Sequence, residues 1–167
     1  LGVFYADYHP RPGKRGGAWS GGFRDQYVRD GIDIRPVVTN VGNFTKPAGG
    51  MPSLLTLEEV ETLFHDLGHA LHSLLQKTRT KGLGVPRDFV ELPSQIMEHW
   101  AFEPEVLKQR RPLKTGEPIP DGLIAKIKNA EKFNQGFITT EYLAASYLDM
   151  DWHTLTGARR PSVLAFE

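Results

Sequence analysis

Apolar residues recur through Leu54–Gln76 at Leu57, Val60, Leu63, Phe64, Leu67, Leu71, Leu74 and Leu75. Steps of three and four residues predict a helix with one buried face. Thr56 stands where an N-cap belongs, and Glu59 three residues later completes a capping box. Ahead of this helix, Leu1–Tyr8 and Pro36–Phe44 are rich in Val and Phe and read as strands, and Ser53–Leu55 as a short edge strand. Lys14–Gly22 carries four glycines and reads as a loop, and KPAGGMPS reads as a turn. Behind the helix, KTRTKGLGVPRD is polar and glycine-rich, a long loop of the kind that often carries function. A second helix is expected to begin between Asp88 and Pro93, with Pro93 in its first turn, and to run to about Phe102. Pro104 breaks it, a short helix reaches Gln109, and LKTGEPIPDG is a loop. Residues 121–132 form an amphipathic helix capped by Asp121, with Leu123, Ile124, Ile127 and Ala130 inward. Asn134–His153 is another, with Phe137, Ile138, Tyr142, Leu143, Ala145, Leu148 and Met150 as its apolar set. The expected architecture is mainly α, of α+β class: one domain over residues 1–167, with a small sheet and loops over 1–55 and a helical part over 56–167.

The first helix carries chemistry as well as packing. His65 and His69 lie four residues apart, with Asp66 directly after the first. Residues i and i+4 are neighbours on a helix, so both imidazoles can reach one zinc ion at about 2.0–2.1 Å. The pattern H-E-x-x-H on a helix marks zinc-dependent peptide hydrolysis, with its Glu as general base. Here the acid is Asp, one methylene shorter. Gly68 sits mid-helix, where glycine costs up to about 1 kcal/mol relative to Ala. A small residue there implies that another element packs close between the two histidines.

Composition narrows the setting. With 167 residues, 40% of them hydrophobic and 24% charged, the chain is long enough for one globular core. Its net charge is zero, which favours neither nucleic acid nor an anionic membrane surface. It has no cysteine, so a metal site must use histidine and carboxylate, and a reducing, cytoplasmic location fits. No apolar run approaches the length of a membrane span, and no signal peptide stands at the start.

A catalytic zinc site takes three protein ligands and keeps one position open. Acids after the helix are Asp88, Glu91, Glu98, Glu103 and Glu105, with His99 a further donor. Glu91 and Glu98 are seven apart and share a helical face. Glu91 lies near the positive end of the second helix's dipole and is assigned as the third ligand. Glu98, between Met97 and Trp100, is assigned as the acceptor for a ligand histidine's second N–H. His72, one turn past His69, is a contact to substrate or to a ligand's partner, or else a plain buried histidine. Gly82 and Gly84 would let the loop after the helix approach a substrate closely.

The segments LFHDLGHALHSLL and RDFVELPSQIMEHWAFEP resemble the thimet oligopeptidase and dipeptidyl carboxypeptidase family of zinc metallopeptidases. FYADYHPRPGKRGGAW and FNQGFITTEYLAASYLDMDWH are similar to the same family, the latter leaning toward its dipeptidyl carboxypeptidase branch. The resemblance implies a zincin-like helical catalytic core with a small N-terminal sheet. It implies one zinc ion held by His65, His69 and Glu91, and Asp66 as general base. It implies short peptides as substrates, cleaved by an oligopeptidase or a dipeptidyl carboxypeptidase. Two departures accompany it. The family's catalytic Glu is Asp66 here. The family's enzymes are several times longer, with a tyrosine- and histidine-bearing substrate segment not found in this sequence. The expectation is therefore a core piece of the catalytic half with impaired hydrolysis; the alternative is a zinc-binding structural fragment without useful catalysis.

Overall fold

The computed structural model describes residues 2–82, 84–109, 117–130, 132–156 and 162–163. Their strands are β1 (Val3–Asp7), β2 (Trp19–Arg24), β3 (Tyr27–Arg29), β4 (Ile32–Ile34) and β5 (Val37–Val41). Their helices are α1 (Leu57–Leu75), α2 (Leu92–Ala101), α3 (Pro104–Gln109), α4 (Asp121–Ala130) and α5 (Gln135–His153). The chain divides into two units, Leu1–Pro118 and Ile119–Glu167. The first is of α+β character and holds every strand among the described residues.

β5 is the centre of the three-stranded sheet, in the order β1-β5-β2. Its sequence VVTNV is β-branched at four of five positions, which suits a pleated surface covered on both sides. β1 runs parallel to it, pairing Val3 with Val37 and Asp7 with Val41. β2 runs antiparallel, pairing Trp19 with Val41, and a bulge between Gly22 and Arg24 shifts its register. Val38 and Asn40, two apart and so on one face, are buried. Lys14 pins the end of the sheet. Its side chain, 3% exposed, donates to the carbonyls of Asp7, His9 and Gly42 and lies 3.1 Å from Asp7 Oδ1.

Two expectations for this region need correcting, and one element is new. Lys14–Gly22 is not all loop, because β2 begins at Trp19. Its Ser-Gly-Gly centre has no hydrophobic period, and the open edge of β5 supplies the ladder that makes it a strand. Ser53–Leu55 forms no strand; Ser53 Oγ instead donates to the Thr45 carbonyl at 2.6 Å, and the local pairing is an Ala48–Met51 bridge. The β3–β4 hairpin was not anticipated. Its turn is Asp30-Gly31, with φ of 52° and 77°, and Asp-Gly between short alternating runs is the sequence signal for it. Gln26 ties this hairpin to the segment after α1, accepting from Thr78 N at 2.6 Å and donating to Asp33 Oδ1 at 2.8 Å.

α1 starts as its sequence dictates. Thr56 Oγ1 accepts from Glu59 N at 3.2 Å, and Glu59 Oε2 accepts from Thr56 N at 2.8 Å. Thr56→Ala is expected to cost about 1 kcal/mol, measured by denaturant unfolding; an unaltered midpoint would show that the box adds nothing. The residues of α1 that are fully buried are Asp66, Gly68 and Ala70, while the leucines of its apolar stripe are half-buried or exposed. α1 packs against β5, β2 and α2. α2 begins at Leu92 with Pro93 in its first turn. Pro93 is tolerated there because no helical hydrogen bond is lost at N1 or N2.

The second unit departs from its apolar pattern. In α4, Ile124 is buried but Leu123 is 48% exposed. In α5 no residue is buried, and Phe137, Ile138, Tyr142, Leu143 and Met150 are all exposed. Burial requires a partner surface, and among the described residues these apolar side chains of α5 are left uncovered. Residues 113–116 of the expected 113–122 loop, and 157–161 and 164–167 of the C-terminal tail, lie outside the described residues.

Candidate metal centre

Helical spacing and one close helix crossing build the site. His65 and His69 project from α1 with ring centroids 4.9 Å apart and planes at 80°. Glu91 is the N-cap residue of α2. The two helices meet at Gly68, where an added Cβ would stand 2.5 Å from Pro93 O and 2.6 Å from Ser94 Cα. That approach carries Glu91, 22 residues beyond His69 in the sequence, up to the imidazoles.

His65 Nε2, His69 Nε2 and Glu91 Oε2 form a nearly equilateral triangle. The edges are 3.2 Å between the nitrogens, 3.1 Å from His69 to Glu91 and 3.3 Å from His65 to Glu91. Three tetrahedral ligands with bonds of about 2.0–2.1 Å stand about 3.3–3.4 Å apart. The three atoms therefore fit one face of a zinc-sized tetrahedron without rearrangement. Among the described residues, these three are the group with the ligand atoms to hold a metal ion. Two imidazoles and a carboxylate form a donor set suited to zinc.

Neighbouring groups set the state of each donor. Glu98 accepts from His65 Nδ1 at 2.5 Å, since a carboxylate can only accept. This leaves the Nε2 lone pair of a neutral His65 directed at the triangle. Glu98, on α2, is thereby tied to His65, on α1. The Ser94 hydroxyl donates to Glu91 Oε2 at 2.7 Å and is the chief cause that holds the Glu91 carboxyl below its usual pKa; His69 and His65 push the same way against partial burial. Asp66 is 6% exposed, and burial raises its pKa although His65 and His69 oppose the shift.

A cleft of about 430 Å3 opens beside the triangle, walled by Trp19, Ser20, Gly21, Gly22 and Arg24 of β2, by α1 and by Val85, Val90 and Glu91. Asp66 and His72 both line it. His72 also packs edge-on against Phe89, with centroids 6.4 Å apart. Gly82 has φ of 80°, and open space surrounds both Gly82 and Gly84; Val85 is the part of that loop on the cleft wall. Sequence reasoning missed Ser94 and β2. A Ser three residues after a candidate ligand Glu at a helix entrance is a readable signal for the first. Nothing in Ser-Gly-Gly announces the second.

Known proteins share this pattern. The sequence profile of peptidase family M3 matches residues 1–165. The chain is 46% identical to dipeptidyl carboxypeptidase of Escherichia coli (strain K12) over 159 residues, 93% of this chain and 23% of that protein. It is 40% identical to oligopeptidase A of the same organism over 158 residues, 91% of this chain and 23% of that protein. Saccharolysin of Saccharomyces cerevisiae is 37% identical over 169 residues, 98% of this chain and 24% of that protein. The chain spans about a quarter of the length of the curated relatives it matches.

Proposed function

The chain belongs to peptidase family M3, and from that premise we propose that it is the metal-bearing core of a zinc-dependent peptidase acting on short peptides. The observation that supports this most directly is the triangle of His65, His69 and Glu91 atoms at 3.1–3.3 Å. These three residues would hold one zinc ion, in a zincin-like arrangement with Glu98 orienting His65. Bound zinc supplies a Lewis acid that polarises a carbonyl and acidifies water.

The chain's own groups would do the rest. Asp66, in the cleft wall, takes a proton from the attacking water and passes it to the leaving amine. Burial favours its protonated form, which makes it a better proton acceptor than an exposed aspartate. β2 is the outer strand of its sheet and borders the cleft, so an extended peptide can add to it by strand pairing. This replaces Ser53–Leu55, which forms no strand. His72 faces the same cleft as a substrate contact.

Glu91→Gln is expected to lower zinc affinity by at least an order of magnitude, because a charged ligand is lost. Competition against a chromophoric chelator measures it, and unchanged affinity would remove Glu91 from the site. Zinc content measured together with turnover of a quenched peptide tests the whole reading. Absence of zinc defeats it. Zinc without turnover in the whole protein favours the rival, a zinc-binding structural element without useful catalysis, which the shortened acid at Asp66 supports. No helix among the described residues is long and apolar enough to cross a membrane.

A further inference from the structure

We propose that Ser94 is a positioning residue of the metal site, whose buried hydroxyl fixes the Glu91 carboxylate with Oε2 turned toward the two imidazoles. The inference rests on the metal-site reading above. Glu91 needs such a device. Its side chain is 50% exposed at the entrance of α2, where a free glutamate samples many rotamers and ordering it costs entropy. Both histidines, by contrast, project from the middle of α1 and are 29% and 20% exposed. The carboxylate is therefore the ligand whose placement is least determined by its own helix.

Ser94 supplies what is missing. It is fully buried, at 0% exposure, and its hydroxyl lies 2.7 Å from Glu91 Oε2 and 2.9 Å from the Glu91 carbonyl. A hydroxyl has one proton to give, and the charged oxygen is the stronger acceptor as well as the nearer one. The oxygen it holds is the same atom that stands 3.1 and 3.3 Å from the imidazole nitrogens. Ser94 itself has little freedom. Its Cα packs so close to Gly68 that an added Cβ there would lie 2.6 Å away. Since Gly68 lies between His65 and His69, the position of Ser94 is referred directly to the turn that carries the other two ligands. The line from Gly68 to Ser94 to Glu91 Oε2 makes the third ligand a fixed point relative to the first two.

The test is a zinc(II) titration of the metal-free chain against a chromophoric chelator, for the parent, Ser94→Ala, Glu91→Gln and the double variant. Thermal melts of each metal-free form accompany it. Ser94→Ala is expected to weaken zinc binding about tenfold, the low end for loss of a group that orients a ligand. In the Glu91→Gln background, Ser94→Ala is expected to weaken it no further, because Ser94 acts through that carboxylate. A purely structural serine would lower the metal-free melting point without changing zinc affinity. Affinity in Ser94→Ala equal to or above the parent's overturns the proposal, as does an equal loss in both backgrounds. A parent that binds no zinc overturns this proposal and the metal-site reading together. A parent that binds zinc beside an unaffected Ser94→Ala overturns the positioning role alone.

Discussion

Gly68→Ala is expected to destabilise the fold by about 3 kcal/mol or more, although alanine is the better helix former by up to about 1 kcal/mol. A Cβ at this position would stand 2.5 Å from Pro93 O, 2.6 Å from Ser94 Cα and 2.9 Å from Pro93 C. All three are backbone atoms, so no side chain can rotate away and the helices must separate. Their separation also moves Glu91, whose hydroxyl partner Ser94 is one of the atoms struck. Stability and zinc affinity are therefore expected to fall together. For a chain of this size the loss corresponds to a drop of about 6–12 °C in thermal midpoint. Gly68→Val, with two further methyl groups, is expected to be worse. A midpoint in Gly68→Ala equal to the parent's would show that α1 and α2 do not cross as described.

Asp66→Glu in the whole protein is expected to raise kcat/KM about 10²-fold while leaving zinc affinity unchanged. A general base must lie within about 2.6–3.2 Å of the proton it takes. Aspartate is shorter than the glutamate of the H-E-x-x-H pattern by one C–C bond, roughly 1.5 Å, and a misplacement of about 1 Å can cost 10²-fold. The backbone cannot slide to restore reach, because His65 and His69 on either side are fixed at the triangle and Gly68 is wedged against α2. A bridging water would recover part of the loss. Glu91 and the imidazoles are untouched by the change, which is why affinity is expected to hold. Steady-state kinetics beside a chelator competition would separate the two quantities. An aspartate form that equals or exceeds the glutamate form in kcat/KM would refute the shortened-base argument.

The local geometry of α1 was legible in the sequence, although its buried set, Asp66, Gly68 and Ala70, was not the apolar stripe. The capping box at Thr56 and Glu59 and the shared face of His65 and His69 depend on residues three or four apart, and a helix of known pitch fixes their geometry. The need for a glycine at residue 68 was legible too, since its helical cost called for a close neighbour. Glu91 was reached less directly, from the head of the next helix and then from the resemblance of D-F-V-E-L-P-S-Q to a known family.

Tertiary structure decided the rest. That Glu91 Oε2 stands within 3.3 Å of both histidines depends on how α1 and α2 cross, and no periodicity encodes a crossing. The spacing of Ser94 from Glu91 is readable in the sequence, but its complete burial and its close approach to Gly68 come from that crossing. β2 exists because β5 offers it an open edge, so its glycine-rich residues took their conformation from a neighbour distant in sequence. In α5 the apolar residues at Phe137, Ile138 and Tyr142 predicted burial, yet all three are exposed. A hydrophobic pattern states which face seeks cover, and only the assembled structure determines whether cover is present.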